Sequence, residues 1–124
     1  MSKVLLIGLA GMCGTLARYW LSGAVYAILG RGFPWGTAAV NALGCLLFGF
    51  VFVLAEERLL LRGDARIMVL VGFMGAFTTF STLVFETNQL LRDAQWAFAA
   101  LNLMGQTVLG FLALWAGMAL ARII

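Results

Sequence analysis

The sequence lacks several residue types on which catalysis and metal binding usually depend. It contains no histidine, one proline and two cysteines, and only 10% of its residues are charged. Without histidine, the commonest metal ligand and general base is missing. Cys13 and Cys45 each lie inside an apolar run, where two lone thiols indicate neither a disulfide framework nor a metal site. No nucleophile stands beside a base and no phosphate-binding loop is present, so the sequence predicts a protein that is not an enzyme.

Apolar residues are abundant, at 64% of the 124 positions. A soluble domain is about half apolar and about a quarter charged, so the composition predicts a membrane protein. About 20 apolar residues cross a bilayer as a helix, and the chain offers four such runs. They lie at about 4–29, 35–55, 67–91 and 94–121. We therefore predict one all-α membrane domain, residues 1–124, with four transmembrane helices.

The distribution of lysine and arginine indicates the orientation of these helices. Four alternating spans place both ends of the chain and the polar connection EERLLLRGDAR (56–66) on one side of the membrane. That side holds Lys3, Arg58, Arg62, Arg66 and Arg122, whereas the other side holds Arg31 and Arg92. This bias favours cytoplasmic termini, but it is small enough that insertion in both orientations stays open. The net charge of +3 is too slight to indicate a nucleic acid partner.

The third run contains the stretch GFMGAFTTFST, from Gly72 to Thr82. Glycine destabilises a helix interior, and threonine hydroxyls compete for backbone hydrogen bonds. The middle of the run is near Thr79, so we predict that helix 3 is broken near the membrane midplane. A broken helix at that depth is buried in protein or lines a cavity, and its freed carbonyl and amide groups bind ions. The alternative is an unbroken packing face whose hydroxyls bond back one turn.

Polar side chains in the other runs form a second group of candidates. Arg18 lies deep in the first run, and Asn41 enters the second run from the same side of the membrane. Together they predict an anion-attracting vestibule; alternatively, Arg18 pairs with Glu86 or with a helix-end carbonyl. Further hydrogen-bond donors are Thr37, Ser81, Thr82, Asn102, Gln106 and Thr107. Because an aromatic ring has a positive edge, Phe77, Phe80 and Phe85 beside these donors suggest a path for a dehydrated anion.

Three segments in order give the sequence a specific resemblance to a known family. They are GTLARYW in the first run, PWGTAAVN in the second and GFMGAFTTFSTLVFET in the third. On these segments, and over its whole length, the chain resembles the Fluc family, the small four-helix fluoride channels of bacteria. The resemblance implies an antiparallel dimer, surrounded by lipid in the bacterial inner (cytoplasmic) membrane. Such a dimer exports cytoplasmic fluoride passively and so relieves fluoride toxicity.

The resemblance also implies roles for individual residues. Gly75 and Thr78 match the positions whose backbone carbonyls, from both subunits, hold a structural sodium ion at the dimer centre. Asn41 matches the asparagine that reaches towards the fluoride path, and Phe80 matches the first of two phenylalanines that line each pore. The remaining matches are Arg18 in the first span, Thr37 on the polar side of the path, and Ser81 and Thr82 in the core motif.

Two positions depart from the family pattern. Leu83 stands where the second pore phenylalanine is usual, and it should share a helical face with Phe80 because three residues are nearly one turn. Either one ring suffices for the path, or Phe85 or another ring compensates. Phe111 occupies a position where relatives often carry serine, so the polar track on the fourth helix would be drawn differently. Its candidates are Asn102, Gln106 and Thr107.

Two other functions suit a short four-span chain. A small multidrug-type proton-coupled exporter needs a titratable carboxylate in its first span, where this chain has Arg18 and no acid. A non-transporting subunit of a larger membrane assembly predicts an unbroken third helix and no ion flux from the purified protein. The sequence favours the fluoride channel and leaves open whether the chain pairs with itself or with a sister subunit of opposite orientation.

Overall fold

A computed structural model describes residues 2–124 of the chain, so Met1 of the predicted 1–124 domain lies outside the described residues. Those residues fold into helices joined by short connections and include no strand. The helices are α1 (Lys3–Leu29), α2 (Trp35–Glu57), α3 (63–77), α4 (Phe80–Arg92) and α5 (Trp96–Ile123). Helices α3 and α4 lie in one span, Gly63–Arg92, which makes four helical segments long and apolar enough to cross a membrane. The predicted all-α, four-span membrane fold is confirmed.

Local chemistry accounts for the helix ends. The Ser2 hydroxyl caps α1 by accepting from the Leu5 N–H, and Gly30 ends that helix with φ 78°, a conformation in which glycine has no Cβ penalty. Pro34 precedes α2, and its carbonyl accepts from the Ala38 N–H at 3.0 Å. Parts of α2, α3 and α5 have wider π-helical turns, including Met68–Phe73 in α3.

The helices pack closely because small residues let their backbones approach. A Cβ added at Gly14 of α1 would collide with the Phe73 carbonyl of α3. A Cβ at Gly117 of α5 would collide in the same way with the Leu46 carbonyl of α2. These two contacts fix α1 against α3 and α2 against α5, the two most extensive helix pairings of the fold.

Three ion pairs lie at one end of the bundle. Lys3 pairs with Asp64, Arg66 with Glu56 and Arg122 with Glu57. These pairs join the beginning of α1 and the end of α5 to the end of α2 and the beginning of α3. They also explain why the helices run past the predicted span limits of 55 and 67. The charged ends of α2 and α3 extend beyond the apolar region, so the connection between these two helices is only residues 58–62.

Large apolar side chains face outward on every span. Examples are Val4, Trp20 and Ile28 on α1, Phe52 on α2, Val71 on α3, Phe85 on α4 and Trp115 on α5. A chain with so little apolar surface buried inside itself requires lipid or another protein around it.

Candidate functional site

The helical backbone of the third span is interrupted at Thr78 and Thr79. Both residues have extended conformations, with φ −81° and ψ 159° at Thr78 and φ −148° and ψ 112° at Thr79. The last helical bond before the interruption runs from the Thr78 N–H to the Met74 carbonyl, at 3.2 Å. The interruption lies near the middle of the span Gly63–Arg92.

Asn41 of α2 holds the interrupted backbone with both ends of its carboxamide. The Thr79 N–H donates to Asn41 Oδ1 at 2.9 Å, and Asn41 Nδ2 donates to the Thr79 carbonyl at 3.1 Å. In a continuous α-helix the Thr79 N–H would donate to the carbonyl of Gly75. The Gly75 carbonyl therefore loses its helical donor.

The side chain of Thr79 starts the helix that follows. Its hydroxyl oxygen accepts from the Thr82 N–H at 3.3 Å, as an N-cap residue does, and its hydroxyl donates to Thr82 Oγ1 at 2.8 Å. Ser81 Oγ lies 3.4 Å from the same hydroxyl. Because the Thr82 N–H is directed to this cap, the carbonyl of Thr78 also loses its helical donor. Ser81 and Thr82 thus belong to the cap of α4.

A relay of side chains continues from Asn41 through α5 to α4. Asn41 Nδ2 donates to Gln106 Oε1 at 3.0 Å, and Gln106 Nε2 donates to Asn102 Oδ1 at 2.7 Å. Asn102 Nδ2 then donates to Thr87 Oγ1 at 2.9 Å, and the Thr87 hydroxyl donates to the Leu83 carbonyl at 2.8 Å. The relay begins at a main-chain N–H and ends at a main-chain carbonyl, which fixes the direction of all three carboxamides. Asn102 is fully buried, at 0% exposure.

A groove of about 530 Å³ lies beside the interruption, between α2, α4 and α5. Its lining includes the predicted site residues Asn41, Thr78, Phe80, Leu83, Gln106 and Thr107. Phe80 is 74% exposed whereas Leu83 is 7% exposed, so the ring stands out from the chain and the leucine forms part of the packed wall. The two residues line one groove, as their helical spacing predicts.

Two other rings border this groove. Phe48 of α2 and Phe111 of α5 belong to its lining, whereas Phe85 does not. Phe48 was missed in the sequence, although Asn41, Gly44, Cys45 and Phe48 follow the i, i+3, i+4, i+7 spacing of one helical face. That spacing could have placed Phe48 on the same face of α2 as Asn41.

Thr37 lies outside the groove, in a cluster around Glu86. The Thr37 hydroxyl donates to Glu86 Oε1 at 2.8 Å, and the Tyr26 hydroxyl donates to the same oxygen at 3.2 Å. Glu86 Oε2 is buried and has no hydrogen-bond partner among residues 2–124. A smaller cavity of about 300 Å³, which Arg31 and Asp93 also line, adjoins this carboxylate.

Arg18 and Gly75 also lie apart from the groove lining. Arg18 is half-buried and makes neither a hydrogen bond nor an ion pair within the described part of the chain, so the pairing of Arg18 with Glu86 is not present. Gly75 is exposed, and a Cβ added there would meet no atom within 4 Å. The freed carbonyls of Gly75 and Thr78 are thus three residues apart at the end of α3.

The fold and the site define a small, four-span α-helical membrane protein with a discontinuous third span. The chain belongs to the family described as CrcB-like protein, Camphor Resistance (CrcB), whose profile matches residues 5–118. A protein of Solidesulfovibrio magneticus named "Fluoride-specific ion channel FluC" is 60% identical over 100% of this chain and 99% of its own length. Proteins of the same name from Nitrosococcus oceani and Magnetococcus marinus are 55% and 46% identical, over 98% and 95% of this chain and 98% and 96% of their own lengths. The family resemblance predicted from the three sequence segments is confirmed.

Proposed function

We propose that this chain is a fluoride-selective ion channel that lets cytoplasmic fluoride leave the cell passively. The observation that carries the proposal is the full-length identity of 60% to a protein named as a fluoride-specific ion channel. The protein is an ion channel and not an enzyme. Passive export relieves toxicity because fluoride that enters an acid-exposed cell as neutral hydrogen fluoride ionises in the cytoplasm and is trapped there.

The groove has the chemistry that such a channel needs. A bare ion moved from water into a medium of low dielectric loses tens of kcal/mol of solvation, so a path must replace the water contacts. The Phe80 ring and the carboxamides of Asn41 and Gln106 line the groove together, and an aromatic ring attracts an anion through its positive edge. A narrow lumen lined in this way excludes larger anions by size and by poorer bonding.

The direct test is fluoride efflux from liposomes that contain only the purified chain, followed with a fluoride electrode, with chloride efflux followed in parallel with a chloride electrode. We expect rapid fluoride release and, in the same vesicles loaded with chloride, release at least tenfold slower, since a tenfold ratio needs only about 1.4 kcal/mol of discrimination. Empty liposomes are the control. Efflux no faster than from empty liposomes would refute the channel and favour the non-transporting subunit.

A structural sodium ion is the second part of the proposal. Sodium is bound by unwound backbone carbonyls in broken membrane helices. The interruption leaves the carbonyls of residues 75–78 without their helical donors, and the family resemblance points to those of Gly75 and Thr78 among them. Two carbonyls are too few for a cation that takes oxygen ligands on all sides. A second copy of the chain would supply the same pair.

Replacing sodium with N-methyl-D-glucamine tests this site. We expect the dimer fraction of the purified protein, measured by light scattering, to fall without sodium and to recover when sodium is restored. Thr78→Val is the matched control, and its dimer fraction should depend on sodium as the original chain's does. The valine keeps the main-chain oxygen, and the hydroxyl that it removes already donates to the Met74 carbonyl at 3.2 Å. A dimer indifferent to sodium would argue against the ion.

The dimer that this site requires is antiparallel in our proposal, with lipid around it in the bacterial inner membrane. The exposed Phe80 ring and the open surface at Gly75 suit contact with a second copy or with a sister subunit. The small charge bias between the two ends of the bundle suits insertion in both orientations. Labelling of Leu60→Cys from both sides of intact membranes tests this, in a chain that also carries Cys13→Ala and Cys45→Ala, since Leu60 is exposed in the α2–α3 connection and its replacement leaves the charge bias unchanged. Labelling from one side alone would refute insertion of this chain in both orientations.

A further inference from the structure

The charged side chains at the end of the bundle that holds the α2–α3 connection do not balance. Each acidic side chain there is in an ion pair: Asp64 with Lys3, Glu56 with Arg66 and Glu57 with Arg122. Two further cationic side chains, Arg58 and Arg62, lie in the connection itself, and neither forms an ion pair within the described part of the chain. The connection therefore carries positive charge that the protein does not neutralise.

Both guanidinium groups use only a small part of their hydrogen-bonding capacity. Arg62 Nε donates to the Leu59 carbonyl at 2.9 Å, and Arg58 Nη2 donates to the Arg122 carbonyl at 3.0 Å. A guanidinium carries five N–H groups, so most donors of each side chain have no acceptor among residues 2–124. Both side chains are exposed. Their planar, paired donors match the oxygens of a phosphate group.

Apolar side chains stand between these two arginines. The segment from 58 to 62 reads RLLLR, and its Leu59 and Leu60 side chains are 52% and 69% exposed. Leu59 has φ 55°, a conformation that is uncommon for any residue but glycine. The Leu60 N–H donates to the Leu54 carbonyl at 2.9 Å, which ties the turn to the end of α2. The turn thus has a defined backbone and presents apolar surface beside unpaired cations.

The length of α2 sets the depth of this turn in a membrane. The helix runs from Trp35 to Glu57, 23 residues, which is about 34 Å at about 1.5 Å per residue. The hydrocarbon core of a bilayer is about 30 Å thick. A helix that crosses the core therefore places Arg58 in the headgroup layer, where apolar side chains reach the boundary of the acyl chains and arginines meet phosphates.

We propose that the α2–α3 connection, residues 58–62, is a binding site for the headgroup of an anionic phospholipid. Arg58 and Arg62 donate to its phosphate, and Leu59 and Leu60 contact the first part of its acyl chains. A lipid with net negative charge is preferred because the unpaired positive charge of the connection has no other partner, and each arginine near such a surface strengthens binding. Lipid binding here does not require that the chain conduct fluoride.

The cations at the opposite end of the bundle differ from this pair. The Arg31 guanidinium lies over the Tyr26 ring, 5.2 Å from its centroid, and Arg92 directly precedes Asp93 in a turn. Neither is next to a run of exposed leucines. A double substitution there removes the same amount of charge without touching the proposed site.

Native mass spectrometry of the purified chain in a neutral detergent tests the site, because binding in micelles does not depend on the orientation of the chain. The probes are phosphatidylglycerol and phosphatidylcholine with the same acyl chains. We expect the original chain to bind phosphatidylglycerol more tightly than phosphatidylcholine. In Arg58→Gln/Arg62→Gln the dissociation constant for phosphatidylglycerol should rise by about tenfold or more, and the preference should be lost.

Arg31→Gln/Arg92→Gln is the matched control, and it should keep the preference. Equal losses in the two double variants would overturn the site, since net charge alone would then account for binding, and so would equal binding of the two lipids by the original chain. Displacement of the lipid by soluble glycerol phosphate would overturn a lipid as the occupant. Should the Arg58→Gln/Arg62→Gln chain not fold, Arg62→Gln decides alone, because its one hydrogen bond lies within the connection; its dissociation constant should rise by about fivefold.

Discussion

The main-chain N–H of Thr79 donates to Asn41 Oδ1 at 2.9 Å and not to the carbonyl of Gly75 four residues earlier. The Asn41 side chain on α2 thereby replaces the carbonyl that would accept this hydrogen bond in a continuous helix. The same carboxamide also donates to the Thr79 carbonyl, so both main-chain polar groups of Thr79 are hydrogen-bonded at a residue that has no helical partners. In lipid, an unsatisfied backbone group costs several kcal/mol, which makes this contact a condition for the interruption.

Asn41→Leu should therefore destabilise the protein. The variant leaves the N–H and the carbonyl of Thr79 without partners, and a buried unpaired group costs about 1–3 kcal/mol. We expect a clear drop in the midpoint of thermal unfolding in detergent. Asn88→Leu makes the same chemical change at an exposed position of α4 with no side-chain hydrogen bond, and it should leave the midpoint nearly unchanged. Equal midpoints for the two variants would contradict the bracing role.

The cap of α4 gives a second prediction. Thr79→Val removes the oxygen that accepts from the Thr82 N–H, whereas Thr79→Ser keeps it. Loss of an N-cap costs about 0.5–2 kcal/mol. Hydrogen exchange of the amides at the start of α4 should accelerate in the valine variant and stay near the original in the serine variant. Similar exchange in both would show that the hydroxyl does not hold the helix start.

Close packing of α1 on α3 gives a third. Gly14→Ala would press a methyl group against the Phe73 carbonyl, while Gly8→Ala on the same helix meets no atom within 4 Å. Overpacking costs about 1–3 kcal/mol. The midpoint of thermal unfolding should fall for Gly14→Ala and hold for Gly8→Ala, and a reversed order would mean that α1 packs through a different face.

The ring that stands out into the groove gives a fourth prediction. Phe80→Ile should sharply reduce fluoride efflux while the protein stays folded, because a side chain that is 74% exposed contributes little to the packing of the chain itself. Phe85→Ile is the matched control on the same helix, since Phe85 does not line the groove. Unchanged efflux in Phe80→Ile would show that the aromatic wall lies elsewhere.

Leu83→Phe gives the fifth. The groove of about 530 Å³ beside residue 83 offers space for a ring, so we expect the variant to fold and its efflux to hold or rise. A collapse of efflux in a folded protein would mean that the path is arranged around leucine.

The sequence predicted the spans well because lipid leaves few choices for backbone polar groups, and long apolar runs separate clearly from charged connections. Their limits were less accurate near residues 55 and 67, where Glu56 and Arg66 pair with each other and helices continue past the apolar region. Composition could place Thr78 and Thr79 in a weak stretch of helix. It could not give the partner of the Thr79 N–H, since that partner is 38 residues away in the chain.

The candidate site was harder to predict for the same reason. Gln106 and Asn102 were named as a possible polar track from their shared helical face, but their connection to Thr87 depends on how α4 packs on α5. Thr37 and Tyr26 converge on Glu86 only in three dimensions. Helical spacing alone could not separate these residues from those of the groove.

The direction of the relay has a consequence for how the sequence can change over time. Its first donor is the Thr79 N–H and its last acceptor is the Leu83 carbonyl. Both belong to the main chain, so side-chain substitutions other than proline at position 79 leave them in place. A residue at position 41, 102 or 106 must both accept and donate a hydrogen bond. If it cannot, at least one neighbour in the relay loses its hydrogen-bond partner. We expect these three positions to covary among relatives, so that single exchanges are rare and compensated sets are common.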